Sequence, residues 1–139
     1  MTISFRAHGQ FDISVDGRIV ITEVDGPWNR ELVFNWAGRM MALCAPLAAT
    51  GPYVAIAVVR GSILCPPDAL DSLRSAIAYG TARLNCIDNV IVADAAVEGR
   101  TLMRETYETL FEDYAPHRYC DNLAEARAWA AQLLGAKGY

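Results

Sequence analysis

The chain has 139 residues, of which 53% are hydrophobic and 20% charged, and its formal net charge is -4. The length predicts a single domain over residues 1–139, with a core over 11–134, and the composition excludes a disordered chain. The acidic balance and the single lysine argue against nucleic acid as a partner, because phosphate binding requires a basic face. The sequence has neither the basic start and apolar block of a signal peptide nor an apolar run long enough to span a membrane, so we expect a cytoplasmic protein.

A β-hairpin is the first predicted element. Residues 11–24 alternate between apolar and polar side chains on both sides of Asp16 and Gly17. The Asp-Gly dipeptide is typical of two-residue turns, because these turns require positive φ angles. The pattern predicts an antiparallel pair of strands with one buried face.

A first helix is predicted after the hairpin. Asn29 can cap it, and Pro46 should end or kink it near Ala45, because proline has no amide hydrogen to donate. Trp28 either packs against the start of this helix or anchors a protein partner together with Asn29 and Arg30, since Trp and Arg are enriched in interface hot spots. The apolar residues expected to face the core are Leu32, Trp36, Met40, Leu43 and Leu47.

The remaining elements alternate between strands and helices. Residues 53–59 form a nearly continuous apolar strand, Asp68 can cap the helix that follows, and residues 89–93 form another buried strand. A helix over 99–114, a short edge strand over 116–120 and a last helix complete the order. Helices between strands imply parallel neighbours. We therefore predict an α/β fold with a mixed sheet of about five strands, in which the N-terminal hairpin is antiparallel and the others are mainly parallel, and about four helices.

The loop between the central strand and the next helix is the first candidate site. It contains Arg60, Gly61, Ser62 and Cys65, and it ends near Asp68. Loops that follow parallel strands and precede a helix N-terminus commonly bind ligands or phosphate groups. Ser62 is either a phosphoacceptor beside Arg60 or a loop serine that bonds to the neighbouring backbone.

The order of these elements resembles the SpoIIAA-like proteins of the STAS class in bacteria. The hairpin, GPWNRE at the first helix, PPDALDSL at the second and DNLAEARAWA at the last carry the resemblance. It implies a non-enzymatic regulatory role of the kind known from anti-sigma-factor antagonists, in which a serine at a helix start is phosphorylated. The matching region here lacks the Asp-Ser-Ser/Thr-Gly pattern, and Pro66 and Pro67 occupy the neighbourhood of the serine, which argues against a phosphoswitch.

Three functions are compatible with these residues. The first is a non-catalytic regulatory module that binds a protein partner or a second copy of the chain. The second is a carrier or sensor of a small apolar ligand, held in a groove lined by Tyr79, Tyr107 and Tyr114. The third is an enzyme in which Cys65, with a pKa lowered by the helix N-terminus, acts with His117 as its base. We expect no metal or other cofactor, because the two histidines are distant, the cysteines form no close pair, and no glycine-rich phosphate loop is present.

Overall fold

The computed structural model describes residues 10–112 and 116–139 of the chain. In chain order its elements are β1 (Gln10–Asp16), β2 (Ile19–Asp25), α1 (Arg30–Ala48), β3 (Tyr53–Arg60), α2 (Pro67–Arg83), β4 (Cys86–Val92), α3 (Arg100–Glu112), β5 (His117–Cys120) and α4 (Leu123–Ala136). Within these residues five strands form one sheet in the order β1-β2-β3-β4-β5, with β1 antiparallel to β2 and the other neighbours parallel. The predicted α/β class, mixed sheet and four helices are confirmed for this part of the chain.

The three crossover helices lie on one face of the sheet. Each parallel strand is added beside the previous one, and right-handed crossovers that advance in one direction place every connecting helix on the same side. Helices α1, α2 and α3 therefore share a core with one face of the sheet, whereas α4 packs on the opposite face. The buried residues between α4 and the sheet are Ile21, Val54, Ile56, Val58, Val90, Val92, Cys120, Ala126, Ala130 and Leu134.

The hairpin turn consists of Gly17 and Arg18, one residue later than predicted. Asp16 already pairs with Ile19 at the end of the strand ladder, so it belongs to β1. Gly17 takes the positive φ that the turn requires, at 61°. The guanidinium of Arg18 donates to the Leu47 carbonyl oxygen at 3.1 Å, which ties the turn to the carboxyl end of α1.

Helix α1 continues through Pro46 to Ala48, so of the two predicted outcomes, an end or a kink near Ala45, the end is wrong. Proline removes one helical hydrogen bond, the one to the Ala42 carbonyl, because it has no amide hydrogen. The Ala49 amide still donates to the Ala45 carbonyl at 3.2 Å, so the last turn keeps its hydrogen bonding. A proline close to a helix end therefore removes one backbone hydrogen bond without ending the helix.

The amino end of α1 is capped as predicted, since Oδ1 of Asn29 accepts a hydrogen bond from the Leu32 amide at 2.7 Å. Leu43 was expected in the core and is exposed, while Cys44 takes the buried position beside it. The core face of α1 is thus rotated by about one residue at this point. The buried residues of α1 are Leu32, Val33, Trp36 and Cys44.

Helix α4 is fixed to the sheet by a buried polar contact. The carboxylate of Asp88, on β4, accepts a hydrogen bond from the indole N–H of Trp129 at 2.7 Å and another from the Asn89 amide at 2.9 Å. The guanidinium of Arg118 lies over the same indole ring, 3.7 Å from its centroid. A buried carboxylate is costly unless it is hydrogen-bonded, so this contact selects the position of Trp129 on the sheet.

The substitution Trp129→Phe should destabilise the fold by about 2 kcal/mol, because it leaves one Asp88 oxygen without its donor, and hydrogen bonds to charged groups contribute in this range. Urea unfolding followed by far-ultraviolet circular dichroism measures the change. In an Asp88→Asn background the same substitution should cost much less, because the two residues share one interaction. If Trp129→Phe lowered the free energy of unfolding equally in the wild-type and Asp88→Asn proteins, the indole would not act through Asp88.

Candidate functional site

The predicted loop site follows the carboxyl end of β3, in the middle of the sheet, and the loop after β2 holds it on one side. The Gly26 amide donates to the Arg60 carbonyl at 3.1 Å, and the Trp28 amide donates to the Leu64 carbonyl at 2.9 Å. The approach is closest at Gly26, where a Cβ atom would lie 1.8 Å from the carbonyl oxygen of Ser62. This position accepts only glycine, because any side chain would meet the neighbouring backbone.

The loop after β4 holds the same segment on its other side. The Ile63 amide donates to the Glu98 carbonyl, and the Glu98 amide donates to the Gly61 carbonyl, both at 2.9 Å. From α3, the Tyr107 hydroxyl donates to the Ile63 carbonyl at 3.0 Å. The segment after β3 is therefore bonded through its backbone to both neighbouring loops, and it continues the sheet rather than opening a cleft.

Ser62 lies inside this bonded segment. It is 5% exposed, and its hydroxyl oxygen accepts a hydrogen bond from the Leu64 amide at 3.2 Å. This geometry agrees with the interpretation of Ser62 as a loop serine that bonds to the neighbouring backbone. Phosphorylation would require the segment to leave its contacts with both loops.

Arg60 and Gly61 are exposed, but the sheet does not form the expected crevice beside them. Ligand sites at the carboxyl edge of a parallel sheet usually form where the strand order reverses. Here β2 to β5 advance in one direction across the described sheet, so neighbouring loops close on each other. The guanidinium of Arg60 pairs with the Glu23 carboxylate at 3.2 Å, outside the bonded loops.

Asp68 is not the helix cap, and that prediction is wrong. Helix α2 begins at Pro67, and Pro66 stands at the cap position without a side-chain hydrogen bond. Proline suits the first helical position because its missing N–H has no partner there and its φ is already helical. The Asp68 carboxylate instead accepts a hydrogen bond from the Ala69 amide at 2.8 Å, inside the first turn.

Cys65 is buried in the core beside Tyr107, and burial raises the pKa of its thiol to about 11. The predicted lowering of this pKa by the helix N-terminus is wrong, because desolvation is the larger effect. The His117 ring stacks on Phe111, with the ring centroids 5.1 Å apart, at the start of β5. A nucleophilic cysteine needs an accessible thiolate, and Cys65 has neither the exposure nor the low pKa.

All four thiols should react slowly with an aromatic disulfide reagent at about pH 8 in the native protein, because each is buried and each pKa is raised. After unfolding in guanidinium, all four should react at the rate of a free thiol. The absorbance of the released thiolate measures both rates, and peptide mass spectrometry locates the modified residue. Rapid labelling of Cys65 in the native protein would contradict this prediction and support the hypothesis of a cysteine-dependent enzyme.

The three predicted interaction residues have different environments. Trp28 is buried and packs edge-on against Trp36, with ring centroids 5.7 Å apart. Its interpretation as a packing residue at the helix start is confirmed, and the expectation of an exposed anchor is wrong, because its backbone and indole are enclosed by the loop after β3. Asn29 is occupied as the cap of α1, and Arg30 is exposed.

The sequence interpretation missed an apolar surface on the outer face of α1. Phe34 is 75% exposed and Met41 is 47% exposed. With Gly38 and Ala45, which are also exposed, they form the outer stripe (Phe34, Gly38, Met41, Ala45), at intervals of four, three and four residues. After its first turn α1 carries one charged residue, Arg39. A helix that is apolar on the face opposite its core is the signal that could have located this surface.

Two cavities lie between the sheet and helices α1 and α2, with volumes of about 50 Å³ and about 80 Å³. β3 contributes the small side chains of Ala55 and Ala57 to the walls, together with Tyr53, Ile56 and Val59, and space remains beside the two alanines. Tyr79 is exposed and lines the larger cavity, whereas Tyr107 is buried beside the smaller one; Tyr114 lies outside the described residues. The residues that line both cavities are Trp36, Met40, Ala55, Ile77 and Asn89.

Comparison with known proteins gives this chain no family. A scan against models of protein families finds no match, and a search of curated proteins finds none that is similar. The resemblance to SpoIIAA-like proteins therefore stays a prediction from the sequence patterns.

Across residues 10–112 and 116–139, His, Cys, Asp and Glu side chains form no group of three that could hold a metal ion. No helix within the same ranges has the length and apolar character needed to cross a bilayer.

Proposed function

We propose that this protein is a non-catalytic regulatory module that binds a protein partner through the outer stripe of α1. The observation that supports this function is the exposure of Phe34, at 75%. Burying a side chain of this size gains about 1.5–3 kcal/mol relative to leaving it in water, and a partner would recover that free energy. A single exposed apolar residue needs no explanation, but Phe34 shares one face with Met41 and lies on a helix with few charges.

The surroundings of the outer stripe favour a protein as the bound molecule. Met41 and Tyr79 of α2 are both exposed and both line the larger cavity, which lies between α1 and α2. Aromatic residues and methionine are enriched at protein interfaces, whereas lysine and glutamate are depleted. The regulatory role, the STAS-type assignment and the cytoplasmic location rest on the sequence resemblance and the sequence composition.

Affinity capture from the native cells tests this function when three variants are compared. Phe34→Glu should lose the captured partner by at least about tenfold, because it places a charge in a desolvated contact. Leu102→Glu is the matched control, since Leu102 on α3 is also 75% exposed and lies outside the outer stripe. Equal recovery by wild type, Phe34→Glu and Leu102→Glu would rule out this surface as the binding site.

The two internal cavities favour a second candidate function, a carrier or sensor of a small apolar ligand. Their lining is mainly apolar, and the shared position of Met40 allows the two spaces to join, because methionine is flexible. Native mass spectrometry of freshly purified protein should then detect an added mass that is lost on denaturation. The substitution Ala55→Val, which fills space shared by both cavities, should remove that mass, and its persistence in the variant would place the ligand elsewhere.

A further inference from the structure

We infer that the partner of the outer stripe is a second copy of this chain, whose own α1 packs antiparallel across it in a two-fold symmetric dimer. This inference rests on the proposed function of the stripe and names its partner. The stripe repeats every seven residues, with Gly38 and Ala45 at one position of the repeat and Phe34 and Met41 at the other. A seven-residue repeat is the spacing that keeps one seam of a helix against a neighbouring helix.

The order of large and small side chains selects an antiparallel arrangement. When Phe34 of one copy lies opposite Ala45 of the other, Met41 lies opposite Gly38, so each large side chain meets a small one. The same pairing recurs on the other side of the axis, as two-fold symmetry requires. A parallel arrangement would place Phe34 against Phe34 and Gly38 against Gly38, which crowds one layer and leaves a void in the next.

Gly38 supports a close neighbour at this position. It lies in the interior of α1, where glycine is among the least favourable residues. A Cβ atom added there would meet nothing within 4 Å, so packing inside the chain does not explain the glycine. Met41 of the second copy would occupy the space that the missing side chain leaves.

The charges along α1 are compatible with the same arrangement. Its last turn contains no basic residue, although cations stabilise the carboxyl end of a helix. In the antiparallel pair Arg30 of each copy lies opposite Ala49 at the carboxyl end of the other α1. Glu31, seven residues before Gly38, lies opposite Ala48 in the last turn, so its charge offsets part of the gain from Arg30. Arg39 lies about 100° around the helix from Gly38, on the side away from the other stripe residues, and therefore lies outside the seam.

Cross-linking through a pair of introduced cysteines tests the dimer and its direction. In the variant Phe34→Cys/Ala45→Cys the two introduced cysteines are about 16 Å apart along one helix. A disulfide joins Cα atoms separated by at most about 7 Å, so these two cysteines cannot pair within one chain. Oxidation by oxidised glutathione should therefore produce a covalent dimer on a non-reducing gel, while either single variant and Leu102→Cys stay mostly monomeric. The four native cysteines are buried and contribute little background.

Sedimentation of the unmodified protein provides the second measurement. The wild-type chain should sediment as a dimer at micromolar concentration, and Gly38→Glu should shift it to a monomer without changing its circular dichroism spectrum. A monomeric wild type with no cross-link in the double variant would overturn the inference, and cross-linking of Phe34→Cys alone would overturn the antiparallel direction. If the wild type is monomeric while Phe34→Glu still loses a captured protein, the proposed function stands and the second copy is not the partner.

Discussion

The folded state should lose stability steeply above about pH 9, because burial raises the pKa of the Cys86 thiol from 9.0 to about 12. The unfolded chain releases this proton near pH 9, whereas the folded chain keeps it until about pH 12. Below the unfolded pKa both states are protonated, so the stabilisation is complete there. As pH rises towards the folded pKa, the unfolded state binds fewer protons and becomes favoured.

The size of this effect follows from the shift in pKa. One pKa unit corresponds to about 1.4 kcal/mol, so Cys86 alone accounts for a loss on the order of 4 kcal/mol between the two values. Burial also raises the pKa of Cys65 to about 11 and raises the pKa of Tyr53 and Tyr107, so all four groups act in the same direction. A loss of this size is comparable with the whole stability of a small domain.

Urea unfolding at a series of pH values measures the predicted loss. The informative comparison is the slope of the unfolding free energy against pH, because Cys86→Ser lowers the stability at every pH and changes the slope only if the thiol titrates. The slope above about pH 9 should become shallower in Cys86→Ser, with a smaller change in Cys65→Ser. Identical slopes in wild type and Cys86→Ser would show that this thiol does not control alkaline unfolding.

The substitution Gly26→Ala should destabilise the protein by about 3 kcal/mol, at the upper end of the range for overpacking. The added Cβ would lie 1.8 Å from the carbonyl oxygen of Ser62, and both groups belong to backbone that is fixed by hydrogen bonds. Relief of the clash requires separation of the loops after β2 and β3. That movement would break the hydrogen bond from Gly26 to Arg60 and uncover Trp28.

A second glycine-to-alanine substitution, at a position where the new Cβ meets no neighbour, separates the effect of the clash from the effect of replacing glycine by alanine. Gly135 lies in α4, and a Cβ there would meet nothing within 4 Å. Gly135→Ala should leave the stability unchanged or raise it by up to about 1 kcal/mol, because alanine is the better helix former. Thermal and urea unfolding of both variants measure the difference, and a Gly26→Ala protein as stable as wild type would show that the two loops can separate freely.

Local signals in the sequence predicted the parts of the fold that depend on neighbouring residues. Asn29 caps α1 as predicted, because a cap is made by a side chain and an amide three residues apart. Asp68 failed as a cap because Pro66 and Pro67 provide a competing start for α2, and local chemistry alone does not decide between them. Pro46 failed as a helix end because one missing hydrogen bond near the terminus costs less than the rest of the turn supplies.

The candidate site depended on contacts that are distant in sequence, so the pattern around β3 could not predict it. Ser62 and Cys65 look accessible in the sequence because they lie in a loop, yet the loops after β2 and β4 close over them. The outer stripe was missed for the opposite reason. The spacing from Leu32 to Leu47 accounts for one apolar face of α1 and for the helix itself, so it gives no indication of the second apolar face.

The order of the strands has a consequence during synthesis of the protein. Each strand pairs with the strand that precedes it in sequence, so the sheet can grow in the order in which the ribosome makes it. The crossover helices complete one layer along the way, but the face that bears Ile21, Ile56 and Val90 stays open to water until α4 has emerged. A nascent chain that stops before α4 is therefore a one-sided sheet, which chaperones can bind and other nascent chains can join in aggregates.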